Sequence, residues 1–91
     1  MMLKWTSKAL SDLARLYDFL AIANKPAAAR AVQTLTKAPT ILLNTPRIGE
    51  QLFQFDPREV RCLLVGNYEI RYEIQKETVY VLRVWHTREN R

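Results

Sequence analysis

The only histidine of the chain, His86, stands beside one of its two tryptophans, Trp85, in the closing run TVYVLRVWHTRENR. Arg61, Arg71, Arg83, Arg88 and Arg91 lie on or just after the strand-like stretches of the second half. Guanidinium groups that hold a phosphate and stabilise its extra charge, with a histidine to move protons, are the parts of a metal-independent ribonuclease. Such an enzyme would use Arg61, Arg71, Arg83 and His86. A plainer account serves the same residues. His86 then closes the end of a sheet through a hydrogen bond, Arg71 and Arg83 pair with Glu69 and Glu73, and Trp85 packs. Residue chemistry alone leaves both accounts open.

Other chemistries find less support. There is no phosphate-binding glycine loop, no metal-ligand spacing and no nucleophile placed beside a base, so neither metal nor cofactor is expected. Glu69 and Glu73 could act as paired carboxylates, but two positions apart on one strand face with Arg71 between them they read better as a charge ladder. Cys62 is the single cysteine. It offers no disulfide framework, fits a reducing cytoplasm and reads as a small buried hydrophobe.

The elements that must position these residues follow from periodicity. MLKW alternates and reads as a strand. Thr6 or Ser7 can cap the helix that follows, in which Leu10, Leu13, Tyr17 and Leu20 form a stripe widened by Ala9 and Leu16. Lys8, Ser11, Asp12, Arg15 and Asp18 fall on the other side. Asn-Lys-Pro punctuates near Asn24, and Pro26 suits the first turn of a second helix with small apolar residues at Ala28, Ala31, Val32 and Leu35. Pro39 predicts a kink or stop near Ala38, and Asn44 to Gly49 reads as loop. After Gly49 the period becomes two. QLFQF reads as a short strand, and VRCLLV, Gly66-Asn67 and YEIRYEIQ form a hairpin. A last strand closes the chain.

The expected fold is α+β, with a helical hairpin packed on one face of a small antiparallel sheet in the order β-αα-β-β-β. Leu10, Leu13, Tyr17, Leu20, Val32 and Leu35 are expected to bury against Tyr68, Ile70, Tyr72, Leu82 and Val84. Setting Tyr80, Leu82 and Val84 opposite Tyr72, Ile70 and Tyr68 puts Glu69 opposite Arg83 and requires an odd loop or bulge around Lys76. Both parities of the last strand are apolar, so its second face, with Val79, Val81 and Trp85, is expected to need a cover: a partner or a second copy of the chain.

Ninety-one residues make one domain, spanning 1–91, and 48% apolar with 25% charged residues is ordinary for a globular protein. LARLYDFLAIA carries Arg15 and Asp18, which excludes a membrane span or signal core. The net charge of +5 is uneven: residues 1–45 hold six basic and two acidic residues, residues 46–91 eight and seven. The excess therefore sits on the helices, as a solvated face rather than a nucleic-acid footprint.

Four stretches in order resemble the RelE/ParE superfamily of bacterial type II toxin–antitoxin toxins, over nearly the whole chain. SKALSDLARLYDFL is similar to its first helix through Ala9, Asp12, Leu13 and Leu16. Leu42, Pro46 and Gly49 match its Leu-x-x-x-Pro-x-x-Gly linker. VRCLLVGNYEIRYEI resembles the central hairpin through Val60, Arg61, Tyr68, Ile70, Tyr72 and Ile74, and VYVLRVWHTRENR the closing strand through Leu82, Val84, His86 and Arg88. The resemblance implies a cognate antitoxin whose C-terminal segment, disordered alone and acidic, orders over the second sheet face. Val79, Val81, Arg83, Trp85, Arg88 and Arg91 are the partner-binding residues so implied. Two activities occur in the superfamily: ribosome-dependent mRNA cleavage in RelE-like members and DNA gyrase poisoning in ParE-like ones. Here the strand REVRCLLV has no lysine, Glu69 stands where a basic residue is common, and no tyrosine follows His86. A carboxylate repels the charge that develops on a phosphate. These departures favour the ParE-like branch.

Overall fold

The computed structural model describes residues 1–89, so Arg91, one of the expected partner contacts, lies outside the described residues. Strand β1 (Met2–Trp5) leads into helices α1 (Ser7–Ala21) and α2 (Lys25–Lys37), and a 3-10 helix, Ala38–Leu43, continues α2 from Pro39. β2 is only Glu50–Gln51; β3 (Glu59–Val65), β4 (Tyr68–Gln75) and β5 (Thr78–His86) follow. Phe53–Phe55, expected in a strand, form a 3-10 turn instead. Both helices start where side-chain caps begin them. The Thr6 hydroxyl accepts from the Ala9 N–H at 3.1 Å, and Asn24 Oδ1 accepts from the Ala27 N–H at 3.0 Å.

The two helices pack on a five-stranded sheet of order β1-β5-β4-β3-β2. Three neighbouring pairs are antiparallel, but β1 runs parallel to β5, with Met2 to Trp5 beside Thr78 to Val81. The sheet is therefore mixed rather than purely antiparallel. No hairpin links β1 to β5, so nothing local fixes their relative direction. The arrangement lets the chain leave β1 and run on as α1 beside β5: the Thr6 N–H donates to the Val81 carbonyl at 3.1 Å, and its hydroxyl to the same oxygen at 2.9 Å.

The register between β4 and β5 corrects the expected one. Tyr72 lies opposite Val81 but Arg71 opposite Arg83, so Leu82 is an extra residue, a β-bulge. The bulge is at Leu82, not Lys76, and Glu69 faces Trp85 rather than Arg83. It switches the parity of β5 in mid-strand. Val79 and Val81 before it and Val84 after it all reach the helix-covered side and are fully buried. The apolar pattern permits this because both parities of the strand are apolar.

The core holds Ala9, Leu13, Leu16, Leu35, Ile70, Val81 and Val84, with a second cluster of Leu42, Tyr72, Ile74 and Val79. The α1 stripe is thus rotated from the expected one. Leu10 is 54% exposed and Tyr17 also faces solvent, while Ala9, Asp12, Leu13 and Leu16 point inward. Leu20, Val32, Tyr68 and Leu82 are half-buried. Tyr72 pins the loop before β2: its hydroxyl donates to the Pro46 carbonyl at 2.8 Å and accepts from the Gly49 N–H at 3.0 Å.

Candidate functional site

Beyond Trp5 no strand among the described residues pairs with the outer edge of β5, and α1 satisfies it with side chains instead. Asp12, expected on the solvent side of the helix, is 4% exposed. Its carboxylate accepts from the Val84 N–H at 2.9 Å, from Arg83 Nε and Nη2 at 2.8 and 3.1 Å, and from Arg15 Nη2 at 3.2 Å. Arg15 Nη2 also donates to the Val84 carbonyl at 3.2 Å. Burial pushes the Asp12 carboxyl up, but the bonds from Arg83, Val84 and Arg15 outweigh it and hold it below the ordinary carboxylate range. An exposed strand edge is thereby closed without a further strand. The network continues into the turn after β5, where Glu89 pairs with Arg15 and accepts from the His86 N–H.

The face of the sheet away from the helices carries a second arrangement. Trp85 is 6% exposed, and the guanidinium carbons of Arg71 and Arg83 lie 4.6 and 5.0 Å from its ring centroid. Phe55, from the 3-10 turn, lies on Arg71 as well, at 5.1 Å. Arg71 is therefore held between two aromatic rings. Glu73 is buried and takes a two-pronged bond from Arg58, at 3.1 and 2.8 Å. Those bonds hold its carboxyl low against the opposing effect of burial. Two members of the expected ladder pair elsewhere: Glu73 with Arg58, and Arg83 with Asp12. Burial, with the charge of Glu69, pushes the Cys62 thiol up to about 11, which leaves it protonated and unreactive at neutral pH.

Of the four residues that a ribonuclease would use, Arg71 and Arg83 come together over Trp85, but Arg61 and His86 lie on the other side of the sheet. Arg61 lies opposite Tyr72, on the helix-covered side, whereas Arg71 lies opposite Cys62 on the other. Arg61 ties β3 to the preceding loop, donating to Glu59 at 3.0 Å and to the Gly49 carbonyl at 2.8 Å. Arg83 is bound to Asp12 at the sheet edge. His86 meets the Tyr68 ring edge-on at 5.3 Å between centroids, and its Nδ1 accepts from the Arg88 N–H at 3.1 Å. It lines an open cleft of about 530 Å³ with Leu16, Phe19, Leu20 and Tyr68, a mainly apolar wall.

Of the expected partner contacts, Val79 and Val81 lie fully buried on the helix-covered side and not on the expected second face. The bulge put them there. Trp85 is on the expected face but covered by arginines of its own chain, and Arg83 and Arg88 remain accessible. Sequence reasoning missed Asp12, Arg58 and Phe55 as parts of these arrangements. Asp12 carried one signal, a lone acid between Ala9, Leu13 and Leu16 on the buried stripe; Arg58 and Phe55, in an irregular segment, carried none. Among the described residues no group of His, Cys, Asp or Glu could hold a metal ion, and no helix is long and apolar enough to cross a membrane.

Comparison with known proteins bears on this geometry. No curated protein matches the chain. Among solved structures it is similar to one described as "Chromosomal ParDE TA system from P. aeruginosa", with a TM-score of 0.80 and 27% identity over 94% of this chain and 95% of that one. The family model described as "ParE toxin of type II toxin-antitoxin system, parDE" matches residues 3–91, nearly the whole chain. Helical hairpin, mixed sheet and sequence agree: this chain belongs to the ParE toxin family of type II toxin–antitoxin systems.

Proposed function

We propose that this toxin acts in the cytoplasm by binding DNA gyrase and poisoning it, and that a cognate antitoxin neutralises it by binding its surface. The observation that carries the reading is the placement of Arg61 and His86 on the other side of the sheet from Arg71 and Arg83. Acid–base catalysis on a phosphate needs the proton-transfer group and the charge-stabilising groups around one reacting centre. Here two of the arginines lie on opposite faces, a third is committed to Asp12 at the sheet edge, and the histidine packs on Tyr68. These groups serve the fold, and the exposed ones serve recognition.

The test is a pair of assays on the purified chain. Added to gyrase with relaxed plasmid, it should inhibit supercoiling; added to translating ribosomes, it should leave the message intact by primer extension. Codon-phased cleavage with unimpaired gyrase would overturn the proposal in favour of RelE-like chemistry. Adding the antitoxin should restore supercoiling, and failure to do so would remove the neutralisation part alone.

A further inference from the structure

We propose that the solvent face of the helical hairpin is a binding surface for duplex DNA, which it holds through the phosphate backbone without sequence preference. The binding itself is independent of the gyrase reading. Residues 1–45 carry six basic and two acidic residues, and in sequence both acids fall on the solvent side and temper that excess. The fold removes one of them. Asp12 turns inward and is neutralised by Arg83. Arg15 is neutralised too, paired with Asp12 and Glu89. Lys4, Lys8, Lys25, Arg30 and Lys37 stay at the surface, all exposed and none in an ion pair among the described residues, with Asp18 as the one exposed acid of this half. The sheet half is the reverse. There Arg47, Arg58, Arg61 and Arg83 each hold a carboxylate, while Glu50, Asp56 and Glu77 stand exposed.

Topology gathers these cations. The helices pack as an antiparallel hairpin, so Lys8 in the first turn of α1 comes to the same end as Lys37 in the last turn of α2. β1 packs on the 3-10 helix that follows Lys37 and brings Lys4 to that end as well. Arg30 and Lys37 each lie two positions after a fully buried residue of α2, Ala28 and Leu35, and so on its outward face. They stand two turns apart, about 10 Å along the axis. Gln33, Thr34 and Thr36 between them are exposed and polar, groups that can donate to phosphate oxygens. A duplex backbone suits this surface better than other polyanions. Lysine is a flexible point charge that neutralises a phosphate wherever it falls, without the fixed fork that arginine offers a single carboxylate. An anionic membrane needs large apolar side chains among the cations, and single-stranded RNA needs exposed rings on which to stack. The exposed residues of α2 include neither.

Fluorescence anisotropy tests the assignment with the full chain and a labelled duplex of about 20 base pairs, from about 25 to 200 mM KCl. Contact of about four cations with phosphates should make log K fall against log salt with a slope of about −3 to −4. A second duplex of unrelated sequence should give the same curve. The double variant Arg30→Gln, Lys37→Gln should make the slope shallower by about 2. Glutamine is a good helix former at exposed positions, and thermal melting checks that the variant is folded. Arg88→Gln removes a charge from the turn after β5 instead, and should leave the slope unchanged. Three results overturn the proposal: no binding at the lowest salt, a double variant that binds as wild type does, or a loss per charge from Arg88→Gln as large as from the helical pair. Tighter binding to single-stranded RNA of the same length, or to phosphatidylserine vesicles, overturns the choice of duplex DNA. The supercoiling assay reports separately on the gyrase reading. A chain that binds the duplex in this way but leaves gyrase active would defeat that reading and uphold this surface.

Discussion

On the helix-covered side of the sheet, Ile70, Val81 and Val84 are fully buried against Leu13, Leu16 and Leu35. On the other side Trp85 is nearly as deeply buried, but beneath the guanidinium groups of Arg71 and Arg83. Hydrocarbon cover is non-directional and stabilises in proportion to the area removed from water. Arginine cover is directional: it shields an aromatic ring and still presents charge at the surface. The first face fixes the fold, and the second keeps charge at the surface. An apolar strand face thus has an alternative to a bound partner, since long cations of the same chain can close it.

The contrast is broken most severely at Asp12, which joins the two regimes by tying α1 to Arg83 and Val84. Asp12→Ala leaves the Val84 N–H and Arg83 without their acceptor, while Arg15 keeps Glu89 and the Val84 carbonyl; with both arginines partly in solvent it should cost about 3 kcal/mol, the upper end for a buried donor left unsatisfied. Urea unfolding measures this; a loss under about 1 kcal/mol would mean the edge is closed by packing alone. Next in size is Gly49→Ala. A Cβ there would lie 2.6 Å from both the Cys62 carbonyl oxygen and the Tyr72 hydroxyl. The former is backbone and cannot swing away, so the change should cost about 1–3 kcal/mol by overpacking. A neutral result would show that the loop before β2 shifts freely.

Acidification sharpens the comparison because both regimes contain a depressed carboxyl. Asp12 and Glu73 are each held below their ordinary values. The stability they contribute is present above the unfolded-state values, near 4, and is lost as pH falls through the lower folded-state values. Melting temperature should therefore hold from neutral pH down to about 5 and fall as pH drops below about 4. Asp12→Asn, already without the charge, should show a shallower fall. An equally steep fall in that variant would assign the acid sensitivity to other carboxyls.

How much of this was legible in the sequence divides along the same line. The perfect alternation of Tyr68, Ile70, Tyr72 and Ile74 identified β4 and its inward face, and the caps and prolines placed both helices. The last strand resisted, because Val79 and Val81 compete on equal terms with Tyr80 and Leu82, and apolarity cannot locate a bulge when both parities satisfy it. Asp12 resisted for another reason. Its burial comes from a strand edge about 70 residues away in the chain, which no local period contains. The candidate site was legible as residue types but not as a geometry. Arg71, Arg83 and Trp85 were all singled out, while Phe55 was not, and Asp12 was noted on the first helix without its pairing to Arg83.

The central claim is that arginines and histidine here serve structure and recognition, not bond breaking, and His86→Ala tests it most directly. His86 packs on Tyr68 and accepts one backbone hydrogen bond, so alanine should lower stability by about 1–3 kcal/mol. Per folded molecule, inhibition of gyrase supercoiling should persist at the wild-type level, with ribosome-bound message uncut by either protein. Codon-phased cleavage by the wild type that disappears in a folded His86→Ala variant, with gyrase untouched by both, would contradict the account.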